Sequence, residues 1–411
     1  SSFISMNLVE MRSEITARGI HMPVSHYINT SIEKGSFIRK MFEQGAQLKA
    51  KFGAHNVFDF SLGNPDLDPP AEFFTAARDL LAAPRKGMHG YMPNAGYPDV
   101  RDAVAAEVSL QQDIQVGGTH TVMTCGAAGG MNIIFKTILD PGDQVIVPRP
   151  CFVEYGFYIA NHGGEMVLVD TNDDFSLNME NIRKAITPKT RAVLICSPNN
   201  PTGRVYPEKQ IIELGKLIED AGKKRPVYLI ADEPYRELVY DGVKVPSIFK
   251  HCTRSIITTS YSKTLSIPGE RIGYVAVNPS APGTDKIMAG LILANRILGF
   301  VNAPALMQRV IARLTDVTVD IETYRTRRNL FMEGLTKAGY EVTKPEGAFY
   351  IFGKSPIADD VAFINHLVKY NILAVPGSGF AGPGYFRVAY CVPEDTITRS
   401  MDGFKKALET L

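Results

Sequence analysis

The sequence predicts an α/β protein whose large domain has a mostly parallel, seven-stranded sheet flanked by helices. From about residue 118, short apolar runs alternate with amphipathic stretches such as Met131–Leu139 and Glu208–Asp220. This order is typical of strand–helix–strand units. Several runs are continuously apolar, as expected for strands buried on both faces. The seven predicted strands are Thr121–Cys125, Gln144–Val147, Glu165–Val169, Ala192–Cys196, Val227–Ala231, Ile256–Ser260 and Gly273–Val277.

A smaller α/β domain is predicted from the two ends of the chain. At 411 residues the chain is long for one domain. We therefore predict a large domain over residues 60–300 and a small domain over residues 1–59 and 301–411. The small-domain patterns are a helix around Phe37–Lys51, a charged helix over 320–339, a strand at Ala348–Phe352, a helical pattern near 359–370 and a strand at Tyr385–Tyr390.

The charge of the chain is nearly balanced, with 44 lysines and arginines against 43 acidic residues. Such a chain has no long-range field that would attract nucleic acid or anionic lipid. The five cysteines are odd in number and scattered without a CxxC pair, and the first residues lack the pattern of a secretion signal. We therefore expect reduced thiols and a cytoplasmic protein with no nucleic-acid partner and no membrane partner.

The clearest chemical signal is the segment 259–273, which reads TSYSKTLSIPGERIG. Lys263 follows the end of a predicted strand, has hydroxyl side chains on both sides, and precedes Arg271 by eight residues. A nucleophilic lysine needs a lowered pKa, which burial and a neighbouring cation both provide. A lysine after a strand is usually a surface residue, but this surrounding pattern favours a catalytic amine.

Three further motifs also follow predicted strands. Asp232 begins an Asp-Glu-Pro-Tyr string, and a carboxylate placed against a pyridine nitrogen keeps that nitrogen protonated. Residues 197–203 read SPNNPTG, and residues 124–130 read TCGAAGG. Small residues between a strand and a helix let backbone N–H groups approach a phosphate. Taken singly, each motif could be only a turn or a tight packing site.

In this order the motifs resemble those of the class I/II aminotransferases, the aspartate-aminotransferase-like enzymes of pyridoxal-phosphate fold type I. The resemblance extends from about Phe37 to the C-terminus. It implies pyridoxal 5'-phosphate held as a Schiff base and ping-pong transfer of an amino group between an L-amino acid, aspartate first, and a 2-oxo acid such as 2-oxoglutarate. The catalytic residues it implies are Lys263, Asp232 and Tyr235. The other cofactor contacts that it implies are Ala127, Ala128, Phe152, Asn200, Ser260 and Arg271. The residues implied to bind the substrate carboxylate are Gly63, Asn200 and Arg387.

Two implied residues concern the oligomer. Tyr91 lies in a loop like the one whose tyrosine reaches the phosphate of the neighbouring subunit, which implies a homodimer with shared sites, although it could be a loop tyrosine without a partner. Arg296 is one residue out of register with the arginine that binds the distal carboxylate in dicarboxylate-specific relatives. Arg296 could equally be an arginine on a helix surface.

The resemblance also implies that Phe152 stacks on the cofactor ring, but Phe152 could instead be an aromatic residue of the core.

Other functions remain open at this level. A pyridoxal-phosphate-dependent C–S β-lyase would use the same lysine and aspartate, and a non-enzymatic cofactor-sensing regulator could share the fold. The eight histidines form no HExxH or Cys/His cluster, so no metal is expected. The sequence does not determine which amino acid is the amino donor.

Overall fold

The computed structural model describes residues 23–34 and 45–411. Its strands, in chain order, are β1 (Phe58–Asp59), β2 (Thr121–Thr124), β3 (Gln144–Arg149), β4 (Glu165–Asp170), β5 (Thr190–Cys196), β6 (Tyr228–Asp232), β7 (Ser255–Ser260), β8 (Gly273–Val277), β9 (Tyr350–Lys354), β10 (Ile372–Leu373), β11 (Val375–Pro376) and β12 (Tyr385–Ala389).

The helices are α1 (His26–Lys34), α2 (Ala71–Ala82), α3 (Pro98–Gln112), α4 (Gly126–Ile138), α5 (Glu154–Ala160), α6 (Met179–Ala185), α7 (Glu208–Ala221), the single turn α8 (Tyr261–Thr264), α9 (Thr284–Ile297), α10 (Ala305–Ile311), α11 (Ile321–Ala338), α12 (Asp360–Val368) and α13 (Glu394–Glu409). Residues 45–52 are also helical. The rest of the helix predicted around Phe37–Lys51, residues 37–44, lies outside the described residues.

The central sheet confirms the predicted fold class. Its strand order is β2-β8-β7-β6-β5-β3-β4, and β8 alone runs antiparallel to its neighbours. All seven predicted strands are present. The apolar runs are buried on both faces, as in β5, where Ala192 to Cys196 are all buried. Helices cover the sheet through apolar stripes such as Ile211, Leu214 and Ile218 of α7.

The predicted start of α4 was wrong by more than a turn. The helix begins at Gly126, whereas the apolar pattern placed its start at Met131. The glycines that follow β2 are part of the helix, and they allow it to pack closely on the sheet. A Cβ added to Gly130 would lie 2.2 Å from the Thr258 hydroxyl oxygen of β7, so only glycine fits there.

Two smaller sheets contain the strands near the chain ends. Strands β11, β12 and β9 form an antiparallel sheet, and β1 pairs in parallel with β10. The small-domain patterns correspond to α11, β9, α12 and β12, each within about two residues of its predicted bounds at either end. The division into a large domain of residues 60–300 and a small domain of 1–59 and 301–411 stays a prediction.

Three further features follow from the described residues. All five cysteines are free thiols. Within residues 23–34 and 45–411, no helix is long and apolar enough to cross a membrane. In the same part of the chain, no group of three or more His, Cys, Asp or Glu side chains could hold a metal ion.

Candidate active site

The predicted site residues meet at the carboxyl ends of the parallel strands. Asp232 is the last residue of β6, and Ser260 is the last residue of β7. Asn200 follows the end of β5 by four residues. Arg271 comes just before β8, whose antiparallel direction brings its first residue to the same edge. Open α/β sheets bind their ligands at this edge.

A cavity of about 360 Å³ opens at this edge. Every predicted site residue except Tyr91 and Arg296 lines it. The lining residues are Ser61, Leu62, Gly63, Ala127, Ala128, Met131, Phe152, Tyr155, Tyr158, Cys196, Asn200, Asp232, Pro234, Tyr235, Ser260, Ser262, Lys263, Pro268, Arg271, Tyr350, Phe380 and Arg387.

Lys263 presents its amine to the cavity from the single turn α8. Its Nζ donates a hydrogen bond to the Gly63 carbonyl oxygen at 2.7 Å. Burial lowers the pKa of Lys263 to about 8, and the positive charges of Arg387 and Arg271 act in the same direction, while Cys391 opposes them. A larger fraction of this amine is therefore neutral near pH 7 than of an ordinary lysine, as a nucleophile or base requires.

Asp232 keeps one carboxylate oxygen free. Its Oδ2 accepts a hydrogen bond from the Tyr155 hydroxyl at 2.6 Å, whereas Oδ1 is buried and has no hydrogen-bond partner among the described residues. Burial raises the pKa of Asp232 to about 7; the Tyr155 bond opposes this shift and the charge of Glu233 adds to it. Burying a hydrogen-bond acceptor without a partner costs free energy. This oxygen therefore indicates a ligand that donates a hydrogen bond to it.

The part of the cavity wall formed by α4 suits an anion. Helix α4 begins there, and Ala127 and Ala128 of its first turn line the wall. Gly126 has a φ of 70°, and an added Cβ would lie 2.8 Å from the Arg271 guanidinium. Free N–H groups at a helix N-terminus together with a cation form an anion-binding arrangement. The Ser260 side chain lines the same cavity.

Arg387 lies on β12 of the three-stranded sheet, and it lines the cavity from there. Its Nη1 donates to the Asn200 side-chain oxygen at 3.1 Å, and its Nη2 donates to the Ser61 carbonyl at 2.7 Å. The guanidinium is buried, and its Nε has no hydrogen-bond partner among the described residues. A buried cation without a carboxylate beside it can bind the carboxylate of a substrate through a two-pronged contact.

Two predicted residues lie away from the cavity. Tyr91 is 94% exposed, in a surface pocket beside Phe300 and Asn302. Arg296 is exposed near the end of α9 and contributes nothing to the cavity wall of this chain. Both roles implied for them need a second subunit and stay predictions.

Sequence reasoning missed two tyrosines that contact predicted residues. Tyr155 bonds to Asp232, and the Tyr350 hydroxyl lies 2.9 Å from that of Tyr235. The usable signal for Tyr155 was its position three residues after Phe152, and the two rings pack edge to face with centroids 5.6 Å apart. No local pattern marks Tyr350, because its partner is 115 positions away.

Gly63→Ala tests how tightly the wall beside Lys263 is packed. An added Cβ would lie 1.9 Å from the Tyr350 hydroxyl oxygen, so the backbone carrying the Lys263 acceptor must move. We expect a loss of about 1–3 kcal/mol in the free energy of unfolding, typical of overpacking, together with reduced activity. Thermal melting and initial rates measure both effects. Gly117→Ala is the matched control, because its Cβ would meet only ordinary contacts at 3.6 Å and beyond. Unchanged melting and rates in Gly63→Ala would contradict the packing argument.

Fold and site together define an α/β enzyme with a lysine-centred cavity at the carboxyl edge of its sheet. Residues 55–404 match the family described as aminotransferase class I and II. The aspartate/prephenate aminotransferase of Thermus thermophilus is 34% identical over 355 residues, which cover 84% of this chain and 89% of that protein.

Solved structures agree with the sequence comparison. The crystal structure of an amino transferase from Eubacterium rectale has a TM-score of 0.89 and 35% identity, covering 99% of both chains. The aspartate aminotransferase of Thermus thermophilus with maleate has a TM-score of 0.83 and 28% identity, covering 94% of this chain and all of that one. The chain belongs to the class I and II aminotransferases and is a pyridoxal-phosphate-dependent transaminase.

Proposed function

We propose that this enzyme moves an amino group between an L-amino acid and a 2-oxo acid by a ping-pong mechanism that uses pyridoxal 5'-phosphate. Aspartate is the first amino donor proposed, and 2-oxoglutarate is the first acceptor. One observation carries the proposal: Lys263, Asp232 and Arg387 line the same cavity. An amine, a carboxylate and a guanidinium can therefore act on one bound substrate.

The unpaired polar groups of the cavity fit the polar groups of pyridoxal phosphate. Asp232 Oδ1 is a buried acceptor without a partner, as a protonated ring nitrogen requires. Asn200 uses its oxygen to accept from Arg387, so its amide NH₂ remains available to the ring oxygen. The first turn of α4 with Arg271 and Ser260 fits the phosphate, and Phe152 can face the ring.

Each residue then has a distinct task. When bound, the cofactor supplies an electron sink for the pair left on the donor when its Cα proton departs. Asp232 keeps the ring nitrogen protonated, and Tyr235 and Asn200 hold the ring oxygen. Lys263 Nζ, whose lowered pKa makes its neutral form more populated than in an ordinary lysine, takes the Cα proton, a contribution of about 10²–10⁴-fold. Arg387 grips the α-carboxylate and sets the orientation of the Cα–H bond.

The choice of aspartate as donor follows from the names of two relatives and from the charges that line the cavity. The Thermus thermophilus relative is named for aspartate and prephenate. A solved aspartate aminotransferase from the same organism is described with maleate, a dicarboxylate. Beyond Lys263, Arg271 and Arg387, no lysine or arginine among the described residues lines the cavity. A cation for a distal carboxylate would therefore come from elsewhere, and Arg296 of a second subunit is the candidate.

A homodimer with shared active sites is part of the proposal. Tyr91 is almost fully exposed although it is a large aromatic residue in a loop that resembles the family's phosphate-contacting loop. Its exposure suits a contact with another subunit. A cytoplasmic location, with no nucleic-acid or membrane partner, completes the proposed setting.

A panel of amino donors tests the proposal. Purified enzyme loaded with pyridoxal phosphate is mixed with 2-oxoglutarate and one L-amino acid at a time, and the oxo-acid product is measured. We expect product with aspartate at the highest kcat/KM and parallel double-reciprocal lines, as a ping-pong mechanism gives. Reactions without 2-oxoglutarate are the control. Pyruvate and ammonia released from a cysteine S-conjugate in that control, without transamination in the panel, would instead select the β-lyase.

A further inference from the structure

Tyr350, the first residue of β9, contacts two residues of the proposed site, Arg387 and Tyr235. Its ring lies against the Arg387 guanidinium, whose central carbon is 4.4 Å from the ring centroid. The Phe380 ring lies at the same distance, 4.4 Å, from that carbon. Two aromatic rings therefore hold the buried cation, and such contacts stabilise and orient a desolvated guanidinium.

The hydroxyl of Tyr350 has a fixed position. It lies 2.9 Å from the Tyr235 hydroxyl, which is its only hydrogen-bond partner among the described residues. Gly63 closes the other side, since an added Cβ there would meet the Tyr350 oxygen at 1.9 Å. Both tyrosines are buried. Among the described residues the hydroxyl therefore has Tyr235 as its one hydrogen-bonding neighbour and Gly63 packed closely beside it.

Either hydroxyl can donate in this hydrogen bond, and a bound cofactor would set the direction. Each phenol carries one O–H proton and can accept as well. If Tyr235 donates into the cavity toward the cofactor oxygen, its own oxygen must accept the proton of Tyr350. A donor that itself accepts a hydrogen bond becomes a stronger donor. The positive charge of Arg387 opposes the burial that raises the pKa of Tyr350 to about 12, so Arg387 makes this hydroxyl a better donor.

We propose that Tyr350 is a positioning residue with two separable tasks: its ring holds Arg387 for the substrate carboxylate, and its hydroxyl strengthens Tyr235 as a donor to the cofactor. The inference rests on the proposed function, because it needs pyridoxal phosphate with its ring oxygen at Tyr235. The other titratable groups that influence the pair are Cys196, Cys391 and Arg387.

Two substitutions separate the ring from the hydroxyl. Tyr350→Phe removes only the hydroxyl. The weaker donor at Tyr235 makes the cofactor oxygen more basic, so the pH midpoint of the visible absorption of the loaded enzyme should rise by about 0.5–1 unit. We expect kcat to fall about 2- to 10-fold and the donor KM to stay within about twofold, because the ring on Arg387 remains. Tyr350→Leu loses the ring as well, and the donor KM should rise about 3- to 30-fold.

Tyr390→Phe is the matched control. It also removes a buried tyrosine hydroxyl with a hydrogen bond, here to the Ala348 carbonyl at 3.0 Å, but Tyr390 does not line the cavity. Its midpoint and kcat should equal those of the wild type, and melting curves show that each variant is folded.

The outcomes separate a failure of the role inferred for Tyr350 from a failure of the proposed function. If the wild type takes up pyridoxal phosphate and Tyr350→Phe has an unchanged midpoint, the inference is wrong and the proposed function stands. An equal rise in KM in both Tyr350 variants would reduce Tyr350 to packing and would also overturn the inference. A wild type that takes up no pyridoxal phosphate and develops no visible absorption would overturn the proposed function together with the inference.

Discussion

Replacing Lys263 with alanine is expected to abolish turnover, with a loss of at least about 10²–10⁴-fold in kcat. The side chain is the only amine in the cavity wall formed by the described residues. Its pKa of about 8 also leaves part of it neutral at the pH of assay. No hydroxyl nearby can replace a base of this strength. Steady-state rates with aspartate and 2-oxoglutarate measure the effect.

The same variant separates attachment from binding. Borohydride reduction followed by peptide mapping should attach the cofactor covalently to Lys263 in the wild type and to no residue in Lys263→Ala. The variant should still bind pyridoxal phosphate, because Asp232, Asn200 and the first turn of α4 are unchanged. Lys337→Ala, which removes an exposed lysine of α11, is the control and should keep wild-type rates. Substantial turnover in Lys263→Ala would place the catalytic amine elsewhere.

After Lys263→Ala, the largest loss of activity is expected for Asp232→Asn. Asparagine has nearly the same shape as aspartate but carries no negative charge. It therefore cannot keep the ring nitrogen of the cofactor protonated. Removing one member of a buried, hydrogen-bonded charge pair costs about 2–5 kcal/mol, which corresponds to about 30- to 5,000-fold in kcat. Rates of the cofactor-loaded variant measure the loss. Asp173→Asn removes an exposed acidic charge from a loop and should leave the rates unchanged.

The same substitution should stabilise the cofactor-free protein at alkaline pH. Burial raises the pKa of Asp232 from 3.8 to about 7, so the folded state binds the proton more tightly than the unfolded state does. The stability that this proton provides is complete below pH 4 and declines as the pH rises to about 7, by about 1.4 kcal/mol per unit. The substituted amide would be neutral throughout, so the variant should unfold at higher denaturant concentration than the wild type at pH 8.

Denaturant titrations of the cofactor-free proteins at pH 5 and pH 8 measure this difference. The advantage of Asp232→Asn should be largest at pH 8, at most about 4 kcal/mol, and should shrink toward pH 5. A wild type that is equally or more stable than the variant at pH 8 would show that the carboxylate is compensated within the protein. The expected result, lower activity with higher stability, is typical of a functional group buried for a ligand.

The local chemistry of this protein could be predicted from residues that follow strand ends. The runs that became β5, β6 and β7 were recognisable by their apolar residues, and each is followed by a chemically active motif. Because parallel strands present their carboxyl ends at one edge, Asn200, Asp232 and Lys263 had to converge once the sheet formed. Their meeting at one edge of the sheet follows from strand direction, whereas the cavity wall that they share required the tertiary structure.

The start of α4 and the side chains around the active groups needed the structure. Glycines at the start of α4 carry no apolar periodicity, so the close packing of Gly130 on Thr258 was invisible in the chain. The Oδ2 of Asp232 is paired and its Oδ1 is not, and this difference depends on where α5 places the Tyr155 hydroxyl.

The sequence by itself determined the fold class, the strands of the large sheet and the residues capable of the chemistry, because these depend on local periodicity and on residue type. Only the tertiary structure decided which of those residues share a wall and which neighbours tune them. Tyr350 meets Tyr235 across 115 positions and Arg387 meets Ser61 across 326. Contacts of that range arise when separate sheets pack together, and no periodicity along the chain records them.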